Sequence, residues 1–229
     1  MNNILEVNNL SVKFRNEKII DNLSFNLKEK DNLVILGPNG AGKSVLLKTL
    51  LGLLPFEGEI KWKKEVRISY VPQKFFPSGE IPLSVEEFFK LKKIEKNEIE
   101  KSLRSVGLTD LEIMKKKIGV ISTGEFQRAM IAWSLADNPD VLLFDEPTAG
   151  IDIGGEETIY NLLMQIEKEL NLTMVIVTHE LNIIYKFANS VLCLNKKAVC
   201  YGTPEEALTP ESIGQLYGGK IKFYQHQHD

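Results

Sequence analysis

The stretch Gly37-Pro38-Asn39-Gly40-Ala41-Gly42-Lys43-Ser44 restricts the folds open to this chain more than any other. It fits G-x-x-x-x-G-K-[ST] without a mismatch. Holding phosphate with the main chain requires several N–H groups aimed into one small space. Glycines let the backbone fold that tightly and approach the oxygens. Asn32-Leu33-Val34-Ile35-Leu36 before the loop is a short, mostly apolar run that reads as a buried strand. Residues 43–51 read as a helix with its N-terminus aimed at the anion. Lys43 then supplies a charge for the β- and γ-phosphates of a nucleotide, and Ser44 a hydroxyl for Mg2+. A glycine-rich turn that binds nothing is the bland alternative, and the strand–loop–helix setting argues against it.

The rest of the chain alternates strands with helices, which predicts a parallel α/β sheet. Residues 4–7, 10–14 and 23–27 read as short strands, as do 60–62 and 67–71. Val141-Leu142-Leu143-Phe144 is apolar throughout, as a central parallel strand is. Residues 173–177 form a second such run. Between these strands Ile159, Leu162, Leu163, Ile166 and Leu170 mark the inner face of a helix. From residue 84 to about 108 the pattern is helical and charged, and Phe88, Leu91 and Ile94 sit at the spacing of a core stripe. Residues 126–136 read as another helix. The helical stretch 84–136 interrupts the alternation and looks like an inserted subdomain.

Asp145-Glu146 follows the apolar run directly, at the strand end where open α/β sheets bind ligands. Asp145 can hold Mg2+, and Glu146 can take a proton from an attacking water or orient it. A pair of surface carboxylates before Pro147 is the alternative. His179 follows the strand 173–177 and could reach a γ-phosphate from the same edge. Gln73, after the strand 67–71, could touch metal or water from a loop. Ile121-Ser122-Thr123-Gly124-Glu125 leads into a helix, where Ser122 and backbone N–H groups could form a second anion site or a plain N-cap. One nucleotide needs only one phosphate loop. A second anion site therefore hints at ATP shared between two subunits.

Composition narrows the classes. With 229 residues, 43% hydrophobic and 26% charged, the chain can bury a sizeable core without disulfides. Its two cysteines, Cys193 and Cys200, predict no disulfide framework and suit a reducing compartment; they read as buried small hydrophobes rather than ligands. A net charge of −3 and a pI near 5.8 argue against a nucleic-acid partner. Lys115-Lys116-Lys117 reads as a solvated segment end. Met1-Asn2-Asn3 has neither a basic region nor a long apolar one, so no secretory signal is expected. No apolar run approaches the roughly 20 residues of a membrane-spanning helix.

In this order the residues resemble the nucleotide-binding domain of ABC transporters over nearly the whole chain. The phosphate loop is Gly37, Pro38, Asn39, Gly40, Ala41, Gly42, Lys43 and Ser44. Gln73 matches the Q-loop, 121–125 the signature, Asp145-Glu146 the Walker B end, Ala149-Gly150-Ile151-Asp152 the D-loop and His179 the switch histidine. Phe14 stands where the family stacks an aromatic ring on adenine. The signature departs from the usual Leu-Ser-Gly-Gly-Gln. Thr123 replaces a glycine, and Glu125 brings a negative charge near the phosphate site, while Ser122 and Gly124 remain.

The resemblance implies one domain over 1–229, with an α/β P-loop NTPase (RecA-like) core, an N-terminal antiparallel β subdomain and an inserted helical subdomain at about 75–136. It implies ATP and Mg2+ as cofactors, with Glu146, His179, Lys43 and Gln73 in catalysis and Ser44, Gln73 and Asp145 at the metal. It implies a homodimer around two ATP molecules on the cytoplasmic face of the cell membrane. The implied partners are an integral membrane permease and an extracytoplasmic metal-binding protein. Residues 70–74, 81–85, 191–195 and 202–204 resemble the ATPase subunits of bacterial zinc and manganese uptake systems. The tail bearing His226, His228 and Asp229 resembles the zinc members, and its His-x-His spacing suits zinc, with a loose terminus that supplies too few ligands for a closed site as the alternative. Zinc is therefore the expected cargo, with a manganese or iron importer, a soluble ABC ATPase and a non-catalytic regulatory subunit as the other readings.

Overall fold

A computed structural model describes residues 3–15, 17–73, 82–148 and 153–218. In chain order these form β1 (Asn3–Phe14), β2 (Glu17–Lys28), β3 (Asn32–Leu36), α1 (Lys43–Leu50), β4 (Glu57–Trp62) and β5 (Ile68–Val71). The helices α2 (Val85–Lys90) and α3 (Lys96–Ser105) come next, then 3-10 turns at Leu111–Lys115 and Ile118–Val120, then α4 (Thr123–Leu135). The chain continues through β6 (Val141–Asp145), α5 (Ile153–Leu170), β7 (Thr173–Val177) and α6 (Leu181–Phe187). It ends in β8 (Ser190–Asn195), β9 (Lys197–Gly202), α7 (Pro204–Ala207) and α8 (Pro210–Tyr217). Two compact units result, one of Met1–Lys64 with Val175–Asp229 and one of Glu65–Met174, so the boundary falls inside β7.

The first unit holds an antiparallel sheet of order β2-β1-β4. The sequence suggests two strands where β1 runs unbroken. Asn9 takes φ 51°, and the pairing with β2 shifts register between Val7 and Leu10. This bulge resets the alternation that the apolar pattern shows as a gap. The same unit carries β3 beside β7 on one side and β8 on the other. β3 and β8 are parallel, with Val34 opposite Val191, and β8 and β9 are antiparallel. Every residue of β3 is buried. Cys193 lies directly opposite Cys200 across this hairpin, their Cα atoms 4.8 Å apart, and the two form a disulfide. The expectation of no disulfide framework is corrected by this one cross-strand bridge. A count of cysteines carries no information about cross-strand register, which brings these two together. Cys193 is fully buried.

The second unit carries β5 parallel to β6. Arg67 and Asp140 fix the start of that pairing. The Arg67 N–H donates to Asp140 Oδ2 (2.9 Å), and the Asp140 N–H donates to Arg67 O (2.8 Å). In the same unit α2, α3 and α4 pack on one another. The predicted stripe of Phe88, Leu91 and Ile94 is not the one buried. α2 ends at Lys90, Lys93 turns the chain with φ 59°, and Leu91 is 66% exposed. Val85 and Phe89, one helical turn apart, face the core instead. Phe88 stacks on Trp133 at 5.1 Å, and the Lys92 ammonium lies 3.5 Å from the same ring. Leu170 is also exposed, at the last turn of α5.

Candidate functional site

In the first unit the phosphate-loop sequence forms the turn from β3 into α1. Gly37 is packed against the β8–β9 hairpin so closely that a Cβ there would lie 2.1 Å from Leu194 O. Only glycine fits. The hairpin also donates the Lys196 N–H to Ala41 O (3.1 Å), which fixes the loop from the other side. Gly42 takes φ 101° as the residue that starts α1, a conformation costly for any residue with a Cβ. Lys43 is 7% exposed, and its Nζ donates to Gly37 O (2.7 Å) and Pro38 O (3.1 Å). The ammonium is thus turned into the loop rather than out to solvent. Asn39 and Gly40 form the exposed crest, Ala41 is buried and Ser44 is half-buried. The first turn of α1 has no acidic residue and its last turn carries Lys48, so nothing at the helix start opposes an anion.

Two more candidates lie in this unit. The Thr178 N–H donates to Ile35 O (3.3 Å), which sets the end of β7 level with the end of β3. His179, the next residue, is exposed at that same edge. Phe14 ends β1 and is 67% exposed. An aromatic ring left that far in solvent contributes little to the core.

In the second unit the parallel register does most of the positioning. Tyr70 pairs with Leu143, and Val71 with Phe144. Side chains alternate along a strand, so Tyr70 and Asp145 share a face. Continuing the register beyond the strand ends brings Gln73 level with Glu146. The contacts follow this geometry. The Tyr70 hydroxyl donates to Asp145 Oδ2 (3.3 Å), and Gln73 Nε2 donates to Glu146 Oε2. Asp145 is 3% exposed, and its Oδ1 is buried with no hydrogen-bond partner among the described residues. Burial, with the negative charge of Asp145 beside it, pushes the Tyr70 phenol well above its ordinary pKa. Glu146 takes φ 50°, rare for a residue with a side chain and concentrated at functional positions. The sequence singled out Asp145, Glu146 and Gln73 but not Tyr70. No signal in the sequence marks Tyr70, because its contact with Asp145 depends on the register of β5 on β6.

Ser122 is the N-cap of α4. Its Oγ accepts from the Glu125 N–H (3.2 Å), and Glu125 Oε2 accepts from the Ser122 N–H (2.8 Å). This reciprocal pair is a capping box. The plain N-cap anticipated from sequence is therefore present. It also gives Glu125 a definite place, with its carboxylate turned back on Ser122. The bond from the Ser122 N–H, more than any other influence, holds the Glu125 carboxyl below the usual carboxylate range. A hydroxyl that accepts still carries its own O–H donor. Ser122 is exposed, Gly124 is half-buried, and a Cβ on Gly124 would meet nothing within 4 Å. Among the described residues no cluster of three or more His, Cys, Asp or Glu could hold a metal ion. Residues 149–152 and the tail with His226, His228 and Asp229 lie outside the described residues.

Residues 20–149 match the family described as ABC transporter. Among curated proteins the chain is similar to the zinc import ATP-binding protein ZnuC of Wigglesworthia glossinidia brevipalpis, 38% identical over 234 residues and 100% of both chains. It is 36% identical to the protein of the same name from Haemophilus influenzae, over 99% of this chain and 86% of that one. Among solved structures it resembles a metal-chelate type ABC transporter in an inward-facing conformation. There the TM-score is 0.83 and the identity 29%, over 95% of this chain and 90% of that one. An ATP-binding cassette in its ADP conformation shares the fold with a TM-score of 0.80 at 23% identity, over 96% of this chain and 100% of that one.

Proposed function

The chain belongs to the ABC transporter family, and on that premise we propose that it binds and hydrolyses ATP to drive zinc uptake through a separate membrane permease. The full-length likeness to zinc import ATP-binding proteins carries the choice of cargo. No described helix is long and apolar enough to cross a membrane, so the passage itself falls to the partner. The chain works at the cytoplasmic face of the cell membrane, where ATP is available, with an extracytoplasmic protein delivering the metal.

Each candidate residue then has a task. The loop amides from Gly37 to Ser44, with Pro38 shaping the turn, receive the phosphates at the start of α1. Lys43 exchanges its carbonyl partners Gly37 and Pro38 for β- and γ-phosphate oxygens, a change from neutral to charged acceptors. Phe14 stacks on adenine. The residues fit a magnesium ion, because Asp145 Oδ1 is a buried acceptor without a donor among the described residues and hard oxygens suit that metal. Ser44, Gln73 and Asp145 would hold it, and when bound it neutralises charge on the transferring phosphoryl group.

Glu146 accepts the proton of the attacking water. While Gln73 donates to Glu146 Oε2, that oxygen is engaged, so movement of Gln73 frees the base. His179 contacts the γ-phosphate. Ser122 and Gly124 act across a homodimer, on the nucleotide held by the other subunit's loop.

A deletion strain grown without added metal tests the cargo. Growth is expected to return with zinc and far less with manganese or iron. Rescue by manganese alone would replace zinc as the cargo, and rescue by no metal would remove the uptake reading.

A further inference from the structure

We propose that Tyr70 is a positioning residue for Asp145, tying one carboxylate oxygen so that the other is presented to the cation. This rests on the role in magnesium binding proposed for Asp145. The two oxygens of that carboxylate are not equivalent. Oδ2 accepts from the Tyr70 hydroxyl at 3.3 Å, whereas Oδ1 is buried without a hydrogen-bond partner among the described residues. A carboxylate on two rotatable bonds would otherwise turn freely between these arrangements. One fixed oxygen selects one rotamer, and selection before binding removes that ordering cost from the binding step.

The backbone makes the contact reproducible. Tyr70 and Asp145 lie on adjacent parallel strands, in a register that puts them on one face, two residues apart along the strand direction. That offset leaves a long side chain such as tyrosine to span the gap. A phenylalanine would fill the same space without the donor. Outer donors of this type orient the groups that bind a metal, and their loss commonly weakens binding about 10- to 100-fold. The 3.3 Å length is long for an O–H···O bond, which places the expected effect at the lower end of that range.

Magnesium titration of the full-length chain, reporting binding of a fluorescent ATP analogue, separates positioning from general damage. In Tyr70→Phe the half-saturating Mg2+ concentration should rise roughly tenfold. Analogue affinity in EDTA should match that of the unchanged chain. Asp145→Asn should raise the Mg2+ requirement at least as much, and adding Tyr70→Phe to it should bring no further rise. If Asp145→Asn raises the requirement and Tyr70→Phe does not, Tyr70 has no positioning role and the reading of Asp145 stands. If Asp145→Asn itself leaves the requirement unchanged, Asp145 does not hold magnesium and both ideas fall. An equal loss of affinity with and without Mg2+ in Tyr70→Phe, or a further rise in the double variant, would overturn the inference.

Discussion

Glu146→Gln is expected to leave ATP binding intact and to slow hydrolysis by at least ~10²-fold, the usual contribution of a general base. Glutamine keeps the size and the hydrogen-bonding carbonyl of the side chain but cannot take a proton from water. The residue sits one position beyond β6, in a backbone conformation of φ 50° that most side chains avoid, and Gln73 donates to its Oε2. Because the substitution preserves the acceptor for Gln73, the local arrangement should survive. The variant should therefore accumulate as an ATP-bound dimer, which size-exclusion chromatography with and without nucleotide would register. Turnover close to that of the unchanged chain would remove Glu146 from the chemistry.

Mixing two inactive chains is expected to restore activity. Lys43→Ala removes the ammonium held in the phosphate loop, and Ser122→Arg places a bulky side chain at the start of α4. Each homodimer then carries a defect in both of its ATP sites. In a heterodimer whose sites each combine one chain's Lys43 with the other chain's Ser122, one site collects both defects and the other has neither. Steady-state ATP hydrolysis of the mixture should rise clearly above either variant alone. No rise, with heterodimers demonstrated by differently sized tags, would refute a shared site.

The features legible in the sequence are those written in consecutive residues. The loop 37–44 announces itself because its whole pattern lies in eight consecutive residues, and the φ of 101° at Gly42 is a demand of the local backbone. The strands β3, β6 and β7 were legible as apolar runs, since strands buried on both faces need no alternation. The membership in the ABC transporter family, read from the order of the motifs, agrees with the match over residues 20–149.

What was not legible depends on pairing between distant segments. The disulfide between Cys193 and Cys200 exists because β8 and β9 set those two residues opposite each other. The contact of Tyr70 with Asp145 likewise needs the register of β5 on β6. The bulge at Asn9, a single left-handed residue, reset a period that pattern counting assumes to be continuous and made one strand look like two. α2 ends at Lys90, so the predicted stripe runs past the helix, and Val85 and Phe89 are the residues it buries. The departure at Glu125 looked like a charge set against a phosphate. Its carboxylate also accepts from the Ser122 N–H, a contact that only the folded helix start reveals.

Zinc uptake into sealed membrane vesicles that contain the permease, with the chain on the ATP-bearing side, tests the central claim most directly. Vesicles given the intact chain and Mg2+–ATP should accumulate zinc. Vesicles lacking the chain, or given Glu146→Gln or a non-hydrolysable ATP analogue, should not sustain accumulation. Equal zinc accumulation with and without the chain and ATP would contradict the account.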